Sequence, residues 1–127
     1  MKILLDTHIL LWAAANTLPP LASKHVLNDS NDLFFSPASI WEVVIKQGLN
    51  RNDFAADPHL LYSALVDNGF EELHITSEHT LLTGTLPMIH KDPFDRILIA
   101  QSIAEGISLL TSDDIIANYP APVILVS

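Results

Sequence analysis

At 127 residues, 49% of them apolar and 17% charged, the chain has enough apolar side chain for one buried core and too little length for two domains. Fifteen acids against six Lys plus Arg leave a net charge of −9, which argues against a protein that grips nucleic acid through a broad basic face. The absence of cysteine excludes disulfides, thiolate metal sites and cysteine nucleophiles, in keeping with a reducing cytoplasm.

Lys2 to Leu5 predicts a strand, and Asp6 breaks its apolar run too early for a secretion signal. A helix is expected over 7–15. Its apolar stretch from Ile9 to Ala15 falls far short of the ~20 residues that span a bilayer, so no membrane segment is expected. A helix over 21–29 and a strand from Leu33 to Phe35 follow. Ser36 and Pro37 then supply a cap and a first-turn proline for a helix over 37–48. The segment Gln47 to Asp57 is polar and reads as the longest loop. A helix over 58–67 stops near Gly69, a strand is expected from Leu73 to Ile75, and a helix over 77–83. Asp92 and Pro93 open a helix over 94–105 that ends at Gly106, and strands from Ser108 to Leu110 and Val123 to Val126 complete the chain. The strands are apolar without alternation, as strands covered on both faces are. Strand alternates with helix, so the sequence predicts an α/β fold, a parallel sheet with helices on both faces, as one domain over 1–127.

Sheets of this kind bind ligands beyond the carboxyl ends of their strands. Asp6 follows the first strand, Ser36 the second, and Thr111, Ser112 and Asp113 the fourth. Asp95 opens the helix leading into that fourth strand, and Glu42 lies about one and a half turns into the helix after the second. Each acid has an ordinary structural explanation. Asp6 could cap the helix from Thr7, Asp92 and Asp95 suit the start of the Pro93 helix, and Asp113 could cap a short helix from Asp114 to Asn118. Glu42 caps nothing; a solvated Glu42–Lys46 pair, worth ~0.3–0.5 kcal/mol, is its plain reading. Taken together the acids say more. Carboxylates ~5 Å apart repel by roughly 3 kcal/mol per pair at an effective dielectric of ~20, so a fold that gathers Asp6, Glu42, Asp95 and Asp113 needs a cation among them. Oxygen-only ligands suit Mg2+ or Mn2+.

Other chemistries lack their residues. The six histidines show no zinc-type spacing and are expected mostly at the surface, with His8 and His90 near enough to the acids to touch a substrate. The four glycines are scattered singly, and no G-x-S-x-G elbow occurs. Trp12 and Trp41 are read as core. Lys46, Lys91 and Arg96 sit among the acid-bearing segments, as phosphate contacts or as ion pairs for the neighbouring acids.

The runs LLDTHILLW, SPASIWEVVIK, LPMIHKDPFDRILIAQS and LLTSDD, in that order and over nearly the whole chain, resemble the PIN domain. Within that family they are similar to the VapC-type toxins of bacterial toxin–antitoxin systems, in the branch with a DPFDR signature. The family's four acids match Asp6 in LLDT, Glu42 in IWEVVIK, Asp95 in DPFDR and Asp113 in Thr111-Ser112-Asp113, the spacing from Asp95 favouring Asp113 over Asp114. Thr7 and Thr111 match small hydroxyl positions that support the acids. The resemblance implies a three-layer α/β/α sandwich around a mostly parallel five-stranded sheet, Mg2+ or Mn2+, and endonucleolytic cleavage of RNA. It also implies an antitoxin that covers the site, and frequent homodimers. A catalytically silent PIN-like binding module and a DNA-directed nuclease of the same fold stay open, since nothing in the sequence recognisably reads a 2′-hydroxyl.

Overall fold

The computed structural model describes residues 1–49 and 57–126. Strands β1 (Lys2–Leu5), β2 (Asp32–Phe35), β3 (Glu71–Glu72), β4 (Ser108–Thr111) and β5 (Val123–Leu125) form one sheet in the order β3-β2-β1-β4-β5. Every neighbouring pair is parallel; Ile3 lies opposite Leu33 on one side and Ser108 on the other. The helices are α1 (Thr7–Ala14), α2 (Pro20–Val26), α3 (Pro37–Gly48), α4 (Pro58–Asp67), α5 (Ser77–Thr83) and α6 (Pro93–Glu105), with a 3-10 turn at Ile116–Asn118.

The strands are apolar throughout because both faces are covered. Ile3 and Leu5 of β1 point into a core with Ile9, Leu10, Val43, Leu61 and Leu65 from α1, α3 and α4. Leu4, between them, points the other way into a core with Leu98, Ile99 and Ala100 of α6. Leu110 and Leu109 of β4 divide the same way. The result is the expected three-layer α/β/α sandwich.

Chain order and sheet order together locate the functional edge. From β1 the chain moves outward to β2 and β3, then returns past β1 to lay down β4 and β5. The winding therefore reverses between β1 and β4, and a crevice opens beyond their carboxyl ends. Side-chain caps set the entry of each helix there: Asp6 accepts from Ile9 N, Ser36 from Ala38 N and Asp92 from Phe94 N. Gly106 ends α6 with φ +66°, a left-handed conformation that disfavours any residue with a Cβ.

Several expectations need correction. The third strand is Glu71–Glu72, not Leu73 to Ile75. Leu73 N still donates to Phe35 O at 2.8 Å, but the chain then leaves the sheet to start α5 at the Thr76 cap. Helix α2 starts at Pro20 and stops at Val26, short of residue 29. Gln47 and Gly48 belong to α3, and residues 50–56 of the expected long loop lie outside the described residues. Trp12 packs against the core as expected. Trp41 does not: it is 61% exposed and meets Phe94 edge-on at 5.2 Å. Ala38, Ser39, Glu42 and Val43 are the buried positions of α3, which turns residue 41 outward. His79 departs from the surface expectation, being buried between the Thr76 N–H and Glu105.

Candidate metal centre

Asp6 leaves β1 with its backbone N–H bound to Leu110 O of β4 at 3.0 Å. One carboxylate oxygen caps α1 through Ile9 N at 3.0 Å, and the other accepts from the Thr111 hydroxyl. Capping and site placement thus coexist in one side chain. Burial is the main force holding the Asp6 carboxyl above the usual carboxylate range, opposed chiefly by the Thr111 hydrogen bond.

Glu42 comes in from α3. It is 3% exposed, so Glu42 is not the solvated partner of Lys46 that its plain reading makes it, although the pair does form at 2.7 Å. Its other oxygen accepts from Thr7 Oγ1 at 2.6 Å, and that hydroxyl lies 3.0 Å from Ser39 Oγ. Thr7 and Thr111 therefore each brace one acid.

Asp95 stands in the first turn of α6, behind the Asp92 cap. Its carboxyl is pushed up to about 8, by burial first and then by the negative charges of Asp92, Glu42, Asp6 and Asp113. Asp113 follows β4; its backbone N–H donates to Thr111 Oγ1 at 3.0 Å and its Oδ1 accepts from Ile115 N at 2.9 Å. Asp113 lines the cleft, whereas Asp114 is exposed.

These four acids share a cleft of about 230 Å3 with Asp92, Thr7, Lys46, His8 and His90 among its walls. Asp92 is both the expected helix cap and part of the negative field. His90 Nε2 lies 2.9 Å from Asp95 Oδ2 and 3.3 Å from Asp113 Oδ2. The candidate donor atoms of His90, Asp95 and Asp113 fall within 4.8 Å of one another, a spacing one metal ion can bridge. The donor set fits a hard divalent cation, since carboxylate oxygens dominate the cleft wall.

The remaining expected residues sit elsewhere. Ser36 is fully buried at the α3 cap, outside the cleft wall. The Arg96 guanidinium donates to the carbonyls of Thr83 (2.7 Å), Pro87 (3.0 Å) and His90 (3.4 Å) and to the Tyr119 hydroxyl (3.2 Å). It braces the loop ahead of α6 and has a supporting place. Lys91 is exposed and is not part of the cleft wall. The chief residue under-read from sequence is His90, whose signal was its place two residues before a helix-capping aspartate.

The chain belongs to the PIN domain family, whose pattern it matches over residues 3–122. Among solved structures, its fold is similar to VapBC2 from Rickettsia felis bound to a promoter DNA fragment (TM-score 0.73, 17% identity, 100% of both chains covered). It is also similar to DNA-bound VapBC from Salmonella typhimurium (TM-score 0.68, 16% identity, 98% of this chain and 97% of that one). VapBC-1 from nontypeable Haemophilus influenzae gives a TM-score of 0.65 at 16% identity, with 98% of each chain covered. No curated protein sequence matches the chain. Among the described residues no helix is long and apolar enough to cross a membrane.

Proposed function

We propose that the chain is a metal-dependent endoribonuclease, a single PIN nuclease domain acting in the cytoplasm as the toxin of a toxin–antitoxin pair. The observation that carries this reading is the convergence of Asp6, Glu42, Asp95 and Asp113, from four separate segments of a PIN fold, on one cleft. Asp6, Asp95 and Asp113 would hold Mg2+ or Mn2+, with Glu42 completing the set directly or through water. The ion, when bound, supplies Lewis acidity that lowers the pKa of water and offsets charge developing on the phosphate. Thr111 holds Asp6, and Thr7 and Lys46 hold Glu42, so these carboxylates need little reorganisation. Lys46 also gives the cleft wall a positive charge beside the acids, where a phosphate must approach. An antitoxin protein as partner, and a homodimer, are proposed on the likeness to VapBC chains.

Cleavage of matched RNA and DNA oligonucleotides by the full chain tests the reading. RNA should be cut with Mg2+ or Mn2+, EDTA should stop it, and Asp113→Asn should reduce it by at least 100-fold, on the order of one essential catalytic contact. Cleavage of DNA in place of RNA would favour a DNA-directed nuclease, and none with either metal would favour a binding module.

A further inference from the structure

We propose that His90 is a positioning residue of the cation site: a hydrogen-bond donor that holds Asp113 beside Asp95, and not a ligand to the ion. This rests on the metal-binding reading above. Distance alone allows the opposite, since the His90 ring nitrogen and the two carboxylates are close enough to share one ion. The second ring nitrogen decides between the two.

A neutral imidazole has one N–H and one lone pair, and a metal can take only the lone pair. In this chain the lone pair is already assigned. His90 Nδ1 accepts from the Asp92 backbone N–H at 3.2 Å, so the ring proton sits on Nε2. Nε2–H is then hydrogen-bonded to Asp113 Oδ2 at 3.3 Å, with Asp95 Oδ2 in close contact with the same nitrogen at 2.9 Å. The other tautomer would set N–H against N–H at Asp92 and a lone pair against the Asp113 carboxylate. Both contacts would be repulsive.

The ring cannot readily turn to escape this assignment. The Asp92 carbonyl accepts from Arg96 N at 3.1 Å while its side chain caps Phe94 N, which fixes the N–H that holds Nδ1. The His90 backbone N–H donates to the Tyr119 hydroxyl at 2.7 Å, and its carbonyl accepts from Arg96 at 3.4 Å. Arg96 and Tyr119 thereby lock the loop, the loop locks the tautomer, and the tautomer orients the Asp113 carboxylate. Outer donors to ligating carboxylates of this kind typically contribute 10–100-fold in metal affinity.

The test is calorimetric titration of the full chain with Mn2+ for wild type, His90→Ala and His90→Gln, with electron spin-echo spectra of the Mn2+-bound wild type. The expected result is no directly coordinated nitrogen in the spectrum, Mn2+ binding weakened about 10–100-fold in His90→Ala, and most of it recovered in His90→Gln, whose amide N–H can reach the same oxygens. A directly coordinated nitrogen overturns the proposal, and the spectrum needs no variant to fold. Unchanged binding in His90→Ala overturns it too, as does a His90→Gln variant as weak as His90→Ala. Wild type that binds no Mn2+ removes the metal reading itself, a result distinct from wild-type binding that ignores residue 90.

Discussion

Replacing Asp95 by Asn should make the metal-free protein more stable, by an amount that grows with pH. Folding raises the Asp95 carboxyl from 3.8 to about 8, so the native state favours the protonated form. A raised carboxyl contributes its stability in full below about pH 4 and loses it as pH climbs through the folded value near 8. At ~1.4 kcal/mol per unit, the charged Asp95 costs the fold on the order of 5 kcal/mol by pH 9, as a ceiling before local relaxation. Asn keeps an oxygen that can accept from His90 and removes the charge. Urea unfolding in EDTA at pH 4, 7 and 9 should therefore show little difference between variant and wild type at the lowest pH, and an advantage of a few kcal/mol for Asp95→Asn at the highest. Saturating Mg2+ should narrow or reverse that advantage, because an ion at 100 times its Kd stabilises the wild type by ~2.7 kcal/mol. A pH-independent difference, or a variant less stable at pH 9, would refute the reasoning and leave Asp95 a plain helix-start residue.

Thr7→Ala should lower stability by about 1–3 kcal/mol, since it strips a hydrogen bond from a buried carboxylate, and Thr7→Ser should recover most of the loss in thermal melts. Arg96→Lys should cost about 2–4 kcal/mol, because one ammonium cannot serve carbonyls on Thr83, Pro87 and His90 at once; limited proteolysis should then cut first between α5 and α6. Gly106→Ala should cost about 1 kcal/mol through its left-handed φ of +66°, with no neighbouring atom in the way and no change in metal affinity by calorimetry.

Much of this arrangement can be read from the chain because its signals are local. Apolar β1 and β4 announce a sheet covered on both faces, and the Ser36-Pro37 and Asp92-Pro93 pairs mark the starts of α3 and α6. The placement of Asp6, Glu42, Asp95 and Asp113 follows from strand order, which puts residues from opposite ends of the chain at one crevice. What escapes is set by partners distant along the chain. Nothing near His90 tells that its ring will meet Asp113, and nothing near Arg96 tells that backbone carbonyls will take its donors before a phosphate can. Trp41 escapes for another reason. Its neighbours Ile40 and Val43 are apolar, and only the burial of Ser39 and Glu42 reveals which side of α3 faces in.

The two borders of the sheet carry a consequence for behaviour at high concentration. On one side β3 is only two residues long, and both are glutamates; on the other, Pro120 and Pro122 precede the three residues of β5. Short, charged or proline-flanked borders are poor templates for a strand from another molecule. Crowded copies of this chain should therefore resist fibril-like growth by sheet extension.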